Sequence, residues 1–172
     1  MSDTNWQPRI VAFFCSWCTY TAADLAGVSR LKYDANVRII RLMCSGRIDL
    51  QFVLDALAKG ADGVLIGGCH PGDCHYAEGN FKALRRYHML LRLLDAMGIC
   101  KDRVRLEWIS ASEGERVRMV INDLVQRIRV LGPLDLPGRL AACDAELGES
   151  AQAVRLPQYP QATADLREVV HG

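Results

Sequence analysis

Four short apolar runs alternate with stretches whose apolar residues recur at helical spacing. This alternation constrains the fold more than any other feature of the chain. The runs are Arg9-Ile-Val-Ala-Phe-Phe14, Asn36-Val-Arg-Ile-Ile-Arg-Leu-Met43, Asp62-Gly-Val-Leu-Ile66 and Arg103-Val-Arg-Leu-Glu-Trp-Ile109. Short β-branched runs closed by turn residues are what parallel strands look like when both faces are covered. Between them lie four helical patterns. A short one spans about Ala22 to Ser29. A second follows Asp49, with Val53, Leu54, Leu57 and Ala58 on one face and Gly60 as its stop. A third starts near Asn80, its stripe reading Phe81, Leu84, Leu91, Leu94 and Met97. In the fourth, Ser112 and Glu115 are spaced for a capping box, and Val117, Val120, Ile121, Leu124, Ile128 and Leu131 form a stripe ended by Gly132-Pro133. Strand–helix alternation with short connections predicts an α/β fold: an open parallel four-stranded sheet with helices on both faces.

The composition shifts after this pattern ends. Four of the six prolines fall beyond Gly132, and Leu140, Leu147, Ala151 and Val154 make only a thin apolar stripe. The expected division is an α/β domain over residues 1–133 and a C-terminal extension over 134–172. Half the residues are hydrophobic, enough for a real core, and the net charge of +1 gives no electrostatic reason for a nucleic-acid partner. No apolar stretch is long enough for a membrane span, and the N-terminal residues lack the pattern of a secretory signal, so a cytoplasmic location is expected.

Seven cysteines are many for such a chain: Cys15, Cys18, Cys44, Cys69, Cys74, Cys100 and Cys143. In a reducing compartment that count points to metal or redox chemistry rather than to structural disulfides. Five of them arrive at the carboxyl ends of the first three strands: Cys15 and Cys18 after the first, Cys44 after the second, Cys69 and Cys74 after the third. In open α/β sheets ligands bind at that edge, where the strand order reverses. With the first strand between the second and third, as in a flavodoxin-like order, all five thiols converge. Cys100 and Cys143 fall outside the pattern.

Three chemistries compete for these thiols. Zinc suits Cys69, His70, Cys74 and His75, but requires sequence neighbours to turn the same way and leaves Cys15, Cys18 and Cys44 without a role. Such a zinc would make the chain a stabilised interaction module. Thiol–disulfide exchange suits Cys15-Ser-Trp-Cys18 beside the start of a helix, and ignores the other three. An iron–sulfur cluster, which needs about four thiolates on a rigid scaffold, accounts for more of the cysteines. Around such a centre Arg47 would favour the reduced site, His70 and His75 would shape the turn or donate to sulfur, Trp17 and Tyr20 would cover it or meet a partner, and Asp73 would cap a turn.

The motifs themselves are familiar. Phe14-Cys-Ser-Trp-Cys-Thr-Tyr20, Ala23-Asp-Leu-Ala-Gly27, Arg41-Leu-Met-Cys-Ser-Gly-Arg47, Gly68-Cys-His-Pro-Gly-Asp-Cys-His-Tyr76 and Arg105-Leu-Glu-Trp-Ile-Ser-Ala-Ser-Glu-Gly114 resemble, in order, the delta-subunit family of methyl-viologen-reducing hydrogenases. The resemblance runs from about Ile10 to Pro133. It implies a 2Fe–2S cluster, with Cys15, Cys18, Cys44, Cys69 and Cys74 as the cluster cysteines. It also implies electron transfer between a hydrogenase or other dehydrogenase and the flavin-containing subunit of a heterodisulfide reductase. The segment beyond Pro133 departs from the short family pattern and inherits no role.

Overall fold

A computed structural model describes residues 6–142 of the 172-residue chain. Its four strands are β1 (Ile10–Cys15), β2 (Val37–Leu42), β3 (Gly63–Gly68) and β4 (Val104–Trp108). Its helices are α1 (Thr19–Val28), α2 (Leu50–Ala58), α3 (Gly79–Ala96) and α4 (Gly114–Leu131). All strand pairs are parallel, and the sheet order is β2-β1-β3-β4. The expected α/β fold is therefore the observed one, with β1 between β2 and β3.

The sheet separates two apolar layers. Side chains alternate along a strand, so Ile10, Ala12 and Phe14 of β1 face α1 and α4, where they meet Ala22, Ala23, Val117, Ile121, Leu124 and Ile128. Phe13, Val64 and Ile66 face the other way, onto Val53 and Leu57 of α2 and Leu90 and Leu94 of α3. Leu57 is fully buried in that second layer; truncating such a side chain to alanine costs about 2–5 kcal/mol.

Four local expectations are corrected. β2 is an edge strand with its side chains half-buried or exposed, and Ile40 stands 45% exposed. Helix α1 begins at Thr19, directly after Cys18, three residues before its predicted start. Helix α3 packs through Ala83, Leu90 and Leu94 with Tyr87 alongside, whereas Phe81 and Met97 are exposed. The Ser112–Glu115 box does not form. Glu115 pairs with Arg118, Ser112 bonds the Ser110 hydroxyl, and the carboxylate of Glu113 instead accepts from the Ser110 backbone N–H at 2.6 Å. The same S-x-x-E spacing occurs twice here, and the fold uses the earlier copy.

Beyond Pro133 the compact unit continues to Gly138. Buried Asp62 accepts the backbone N–H of Arg9 on one oxygen and that of Leu134 on the other, at 2.9 and 3.0 Å. The Arg103 guanidinium donates to the carbonyls of Asp62 and Gly132. Leu134 and Leu136 are buried in the α2/α3 layer. From Arg139 the chain forms a separate unit, of which residues 139–142 are helical. Cys143, Leu147, Ala151 and Val154 lie outside the described residues. Among the described residues no helix is long and apolar enough to cross a membrane.

Candidate metal centre

Parallel strands that all end at one edge deliver their following residues to one place, and here those residues are thiols. Cys15 is the last residue of β1, Cys18 precedes α1, Cys44 opens a single 3₁₀ turn after β2, and Cys69 directly follows β3. Cys74 lies five residues further, in the loop leading to α3. The sulfurs of Cys15 and Cys69 are 3.7 Å apart, and those of Cys44 and Cys74 are 3.9 Å apart. The Cys18 sulfur joins the first pair, the three lying within 4.8 Å of one another. The first group also reaches the backbone on either side of Cys44, the Cys15 thiol contacting the Met43 carbonyl at 3.9 Å and receiving the backbone N–H of Ser45. Four of the five are buried; Cys74 is half-buried, and Cys100 is exposed elsewhere.

Backbone packing makes room for the sulfurs. A Cβ on Gly79, the first residue of α3, would stand 2.2 Å from the Cys44 sulfur and 3.1 Å from that of Cys74. A Cβ on Gly46 would stand 2.7 Å from the Gly79 Cα, so the turn and the helix start meet backbone to backbone. Arg86, two turns along α3, clamps that turn by donating to the carbonyls of Gly46 and Ile48 at 2.6 and 2.9 Å. Buried Asn80 holds the opposite loop, its amide donating to the Cys69 and His70 carbonyls.

The electrostatics follow from those neighbours. The Cys18 thiol donates toward Cys15 and, against the opposing effect of burial, brings the Cys15 thiol down to about 5. The same contact, with burial, pushes Cys18 up. Burial pushes Cys69 up to about 11 and also raises Cys44. Burial opposes ionisation of Cys74 too. There the backbone N–H groups of Tyr76, Asn80 and Gly79, with the Cys44 thiol, outweigh it and lower the pKa. Amides at the start of a helix stabilise negative charge.

The loop histidines are engaged by other side chains. His70 Nε2 pairs with Glu113 at 2.8 Å, and His75 stacks on Trp17 with centroids 3.8 Å apart. Trp17 Nε1 also donates to the Tyr76 hydroxyl. These contacts disperse the Cys69, His70, Cys74 and His75 set considered for zinc. Tyr20 lies under the Arg41 guanidinium, Asp73 makes no side-chain hydrogen bond among the described residues, and Arg47 is exposed. Reasoning from spacing missed Gly79, Asn80, Arg86 and Glu113. Glu78-Gly79-Asn80, a glycine and a turn-forming asparagine opening a helix, was the available signal for two of them.

Soft thiols arranged this way suit a soft transition metal. Tetrahedral metal–thiolate bonds of about 2.3 Å place two sulfurs roughly 3.8 Å apart, and both close pairs have that separation. The glycine cradle and the inward-pointing amides fit sulfur rather than a bulky organic ligand. Among the described residues the buried Ser45 hydroxyl, next to Cys44 in sequence, has no hydrogen-bond partner. A cleft of about 240 Å³ opens beside Cys18, Cys69 and His75. A larger one, about 630 Å³ between β2 and α2, contains neither cysteine nor histidine.

Residues 10–132 match the family described as methyl-viologen-reducing hydrogenase, delta subunit. The chain is 58% identical over 132 residues to the iron–sulfur subunit of the F420-non-reducing hydrogenase vhc of Methanococcus voltae, covering 77% of this chain and 92% of that one. It is 54% identical over 129 residues to the iron–sulfur subunit of an F420-non-reducing hydrogenase of Archaeoglobus profundus, covering 75% and 94%. It is also 49% identical over 127 residues to one subunit of the ferredoxin/F420H2-dependent CoB-CoM heterodisulfide reductase of Methanosarcina acetivorans, covering 74% of this chain and 16% of that much longer one. The thiol-lined edge of a four-stranded parallel sheet thus coincides with a shared sequence, and the chain belongs to the methyl-viologen-reducing hydrogenase delta-subunit family.

Proposed function

We propose that this chain is an electron-transfer subunit holding a 2Fe–2S cluster. In this reading it relays electrons between a hydrogenase or other dehydrogenase and the flavin-containing subunit of a heterodisulfide reductase-type complex. The observation that carries the reading is the pairing of sulfurs, Cys15 with Cys69 and Cys44 with Cys74, at one edge of the sheet. A two-iron core takes two thiolates on each iron, and two close pairs meet that demand, with Cys18 alongside the first. When bound, such a cluster supplies a one-electron site whose potential is set by hydrogen bonds to sulfur, local charge and solvent exposure.

The chain's own residues set those three levers. Amides of Tyr76, Gly79 and Asn80 stabilise charge on the Cys74 side, and the Ser45 amide does so at Cys15. Trp17, His75 and Tyr76 form an aromatic cover over the loop. Burial of Cys15 and Cys18, at 1% and 5% exposure, keeps disulfide substrates from the Cys15-x-x-Cys18 motif and counts against thiol exchange. The partner assignment draws on the relatives. Two are named as hydrogenase iron–sulfur subunits, and a third carries the matching segment inside a heterodisulfide reductase subunit.

Anaerobic co-expression with a flavin-containing heterodisulfide reductase subunit tests the relay. The expected result is a stable complex, and a separately purified flavin subunit should bleach when two equivalents of the pre-reduced chain are added. Rapid turnover of small disulfides by the metal-free chain, dependent on Cys15 and Cys18, would contradict it.

A further inference from the structure

Five thiols crowd a site for which four suffice, and they are distributed unequally. On one side three sulfurs, of Cys15, Cys18 and Cys69, lie mutually within 4.8 Å. On the other side Cys44 and Cys74 stand as a pair with no third cysteine, the remaining described one being exposed Cys100. We propose that Cys18 is a reserve ligand for the Cys15/Cys69 side alone, so that the site survives loss of either of those thiols but not loss of Cys44 or Cys74. The inference rests on the cluster reading above.

The local structure leaves Cys18 free to serve. It precedes the first turn of α1, and its side chain caps no helix amide. Its one other polar contact is a long 3.6 Å approach to the Thr19 hydroxyl. A staggered χ1 change moves a cysteine sulfur by roughly 3 Å, a reach comparable with its separation from its two neighbours. Among the described residues Cys44 has no such understudy. The Gly46 amide and the Gly79 backbone hold its sulfur on the far side. In a Cys69→Ser chain the balance is simple. The serine keeps its hydroxyl proton, the Cys18 thiol releases its proton to solvent, and one metal–sulfur bond forms in place of the missing one. No electron is gained or lost.

The test is anaerobic reconstitution of the full chain and its variants with iron and sulfide. Readouts are bound iron, acid-labile sulfide and the EPR spectrum after dithionite, with circular dichroism verifying folding. Cys18→Ser is expected to load like the unaltered chain. Cys69→Ser and Cys15→Ser should each keep at least about half of the iron and sulfide with altered EPR g values, since one ligand has changed. Cys18→Ser/Cys69→Ser, Cys44→Ser and Cys74→Ser should fall below about a tenth. Cys69→Ala serves as a second variant if the serine itself binds iron, and it should load as Cys69→Ser does. Loss of the cluster in Cys69→Ser as complete as in Cys44→Ser, in a folded chain, overturns the proposal. So does loss in Cys18→Ser alone. If the unaltered chain binds no labile sulfide, the cluster reading itself has failed, an outcome separate from either of these.

Discussion

Gly79→Ala probes how tightly the fold positions one sulfur. The new Cβ would stand 2.2 Å from the Cys44 sulfur, where ordinary contact begins near 3.4 Å, so that sulfur must retreat by about 1.2 Å. Cys74 must also give, at 3.1 Å. Metal–ligand distances hold within about 0.2 Å, and the required displacement is several times larger. Overpacking of this kind costs about 1–3 kcal/mol. Replacing glycine by alanine in a helix returns about 0.5–1 kcal/mol. The net loss for the metal-free protein is therefore about 1–2 kcal/mol, a melting temperature lower by about 2–8 °C. Loading with iron and sulfide should fall far more steeply than stability. Thermal melts followed by circular dichroism under reductant, with iron analysis after reconstitution, measure both. Gly27→Ala is the control: nothing lies within 4 Å of its added Cβ, and α1 should be unchanged or slightly stabilised. A Gly79→Ala protein that melts like the parent and loads fully, with an unaltered spectrum, would refute the claim that α3 sets the Cys44 sulfur.

Three further outcomes are expected. In the metal-free, reduced protein the Cys15 pKa of about 5 lies below its ordinary 9.0; the stabilisation from its thiolate is therefore complete above about pH 9 and is lost as the pH falls through about 5. Thiolate absorbance of the folded chain should fade as the pH falls through about 5, and this step should be missing from Cys15→Ser, whereas titration only near pH 9 would contradict the hydrogen-bond argument. Asn80→Ala removes two buried donors from the Cys69 and His70 carbonyls and should cost about 1–3 kcal/mol in a denaturant titration, with faster loss of bound iron to a chelator. Truncation after Gly138 should leave the melting curve and iron content nearly intact. Truncation after Pro133 removes buried Leu134 and Leu136, each worth about 1.5–3 kcal/mol, and should lower stability clearly.

The sheet and its order were legible because the apolar runs are short and sharply bounded, and because five cysteines at three strand ends make sense only if β1 lies centrally. Finer features depended on packing that periodicity does not encode. Ile39 and Ile40 look alike in β2, yet Ile40 is exposed because β2 is an edge strand. Ser110–Glu113 and Ser112–Glu115 offer the same capping spacing, and contact with His70 accompanies the first. Phe81 reads as core in sequence but lies on the outer side of α3, whose packed face passes through Ala83 and Leu90. The division of the thiols into a group of three and a pair follows from loop conformations and the close approach of Gly46 to Gly79, neither of which leaves a spacing rule behind.

In the proposed function the clustered thiols hold two irons bridged by sulfide. Iron, zinc and acid-labile sulfide assayed together on anaerobically purified protein, with an EPR spectrum after dithionite, test it most directly. About two irons and two sulfides per chain are expected, with the signal of a one-electron-reduced pair of irons. Stoichiometric zinc without labile sulfide in intact protein would contradict it.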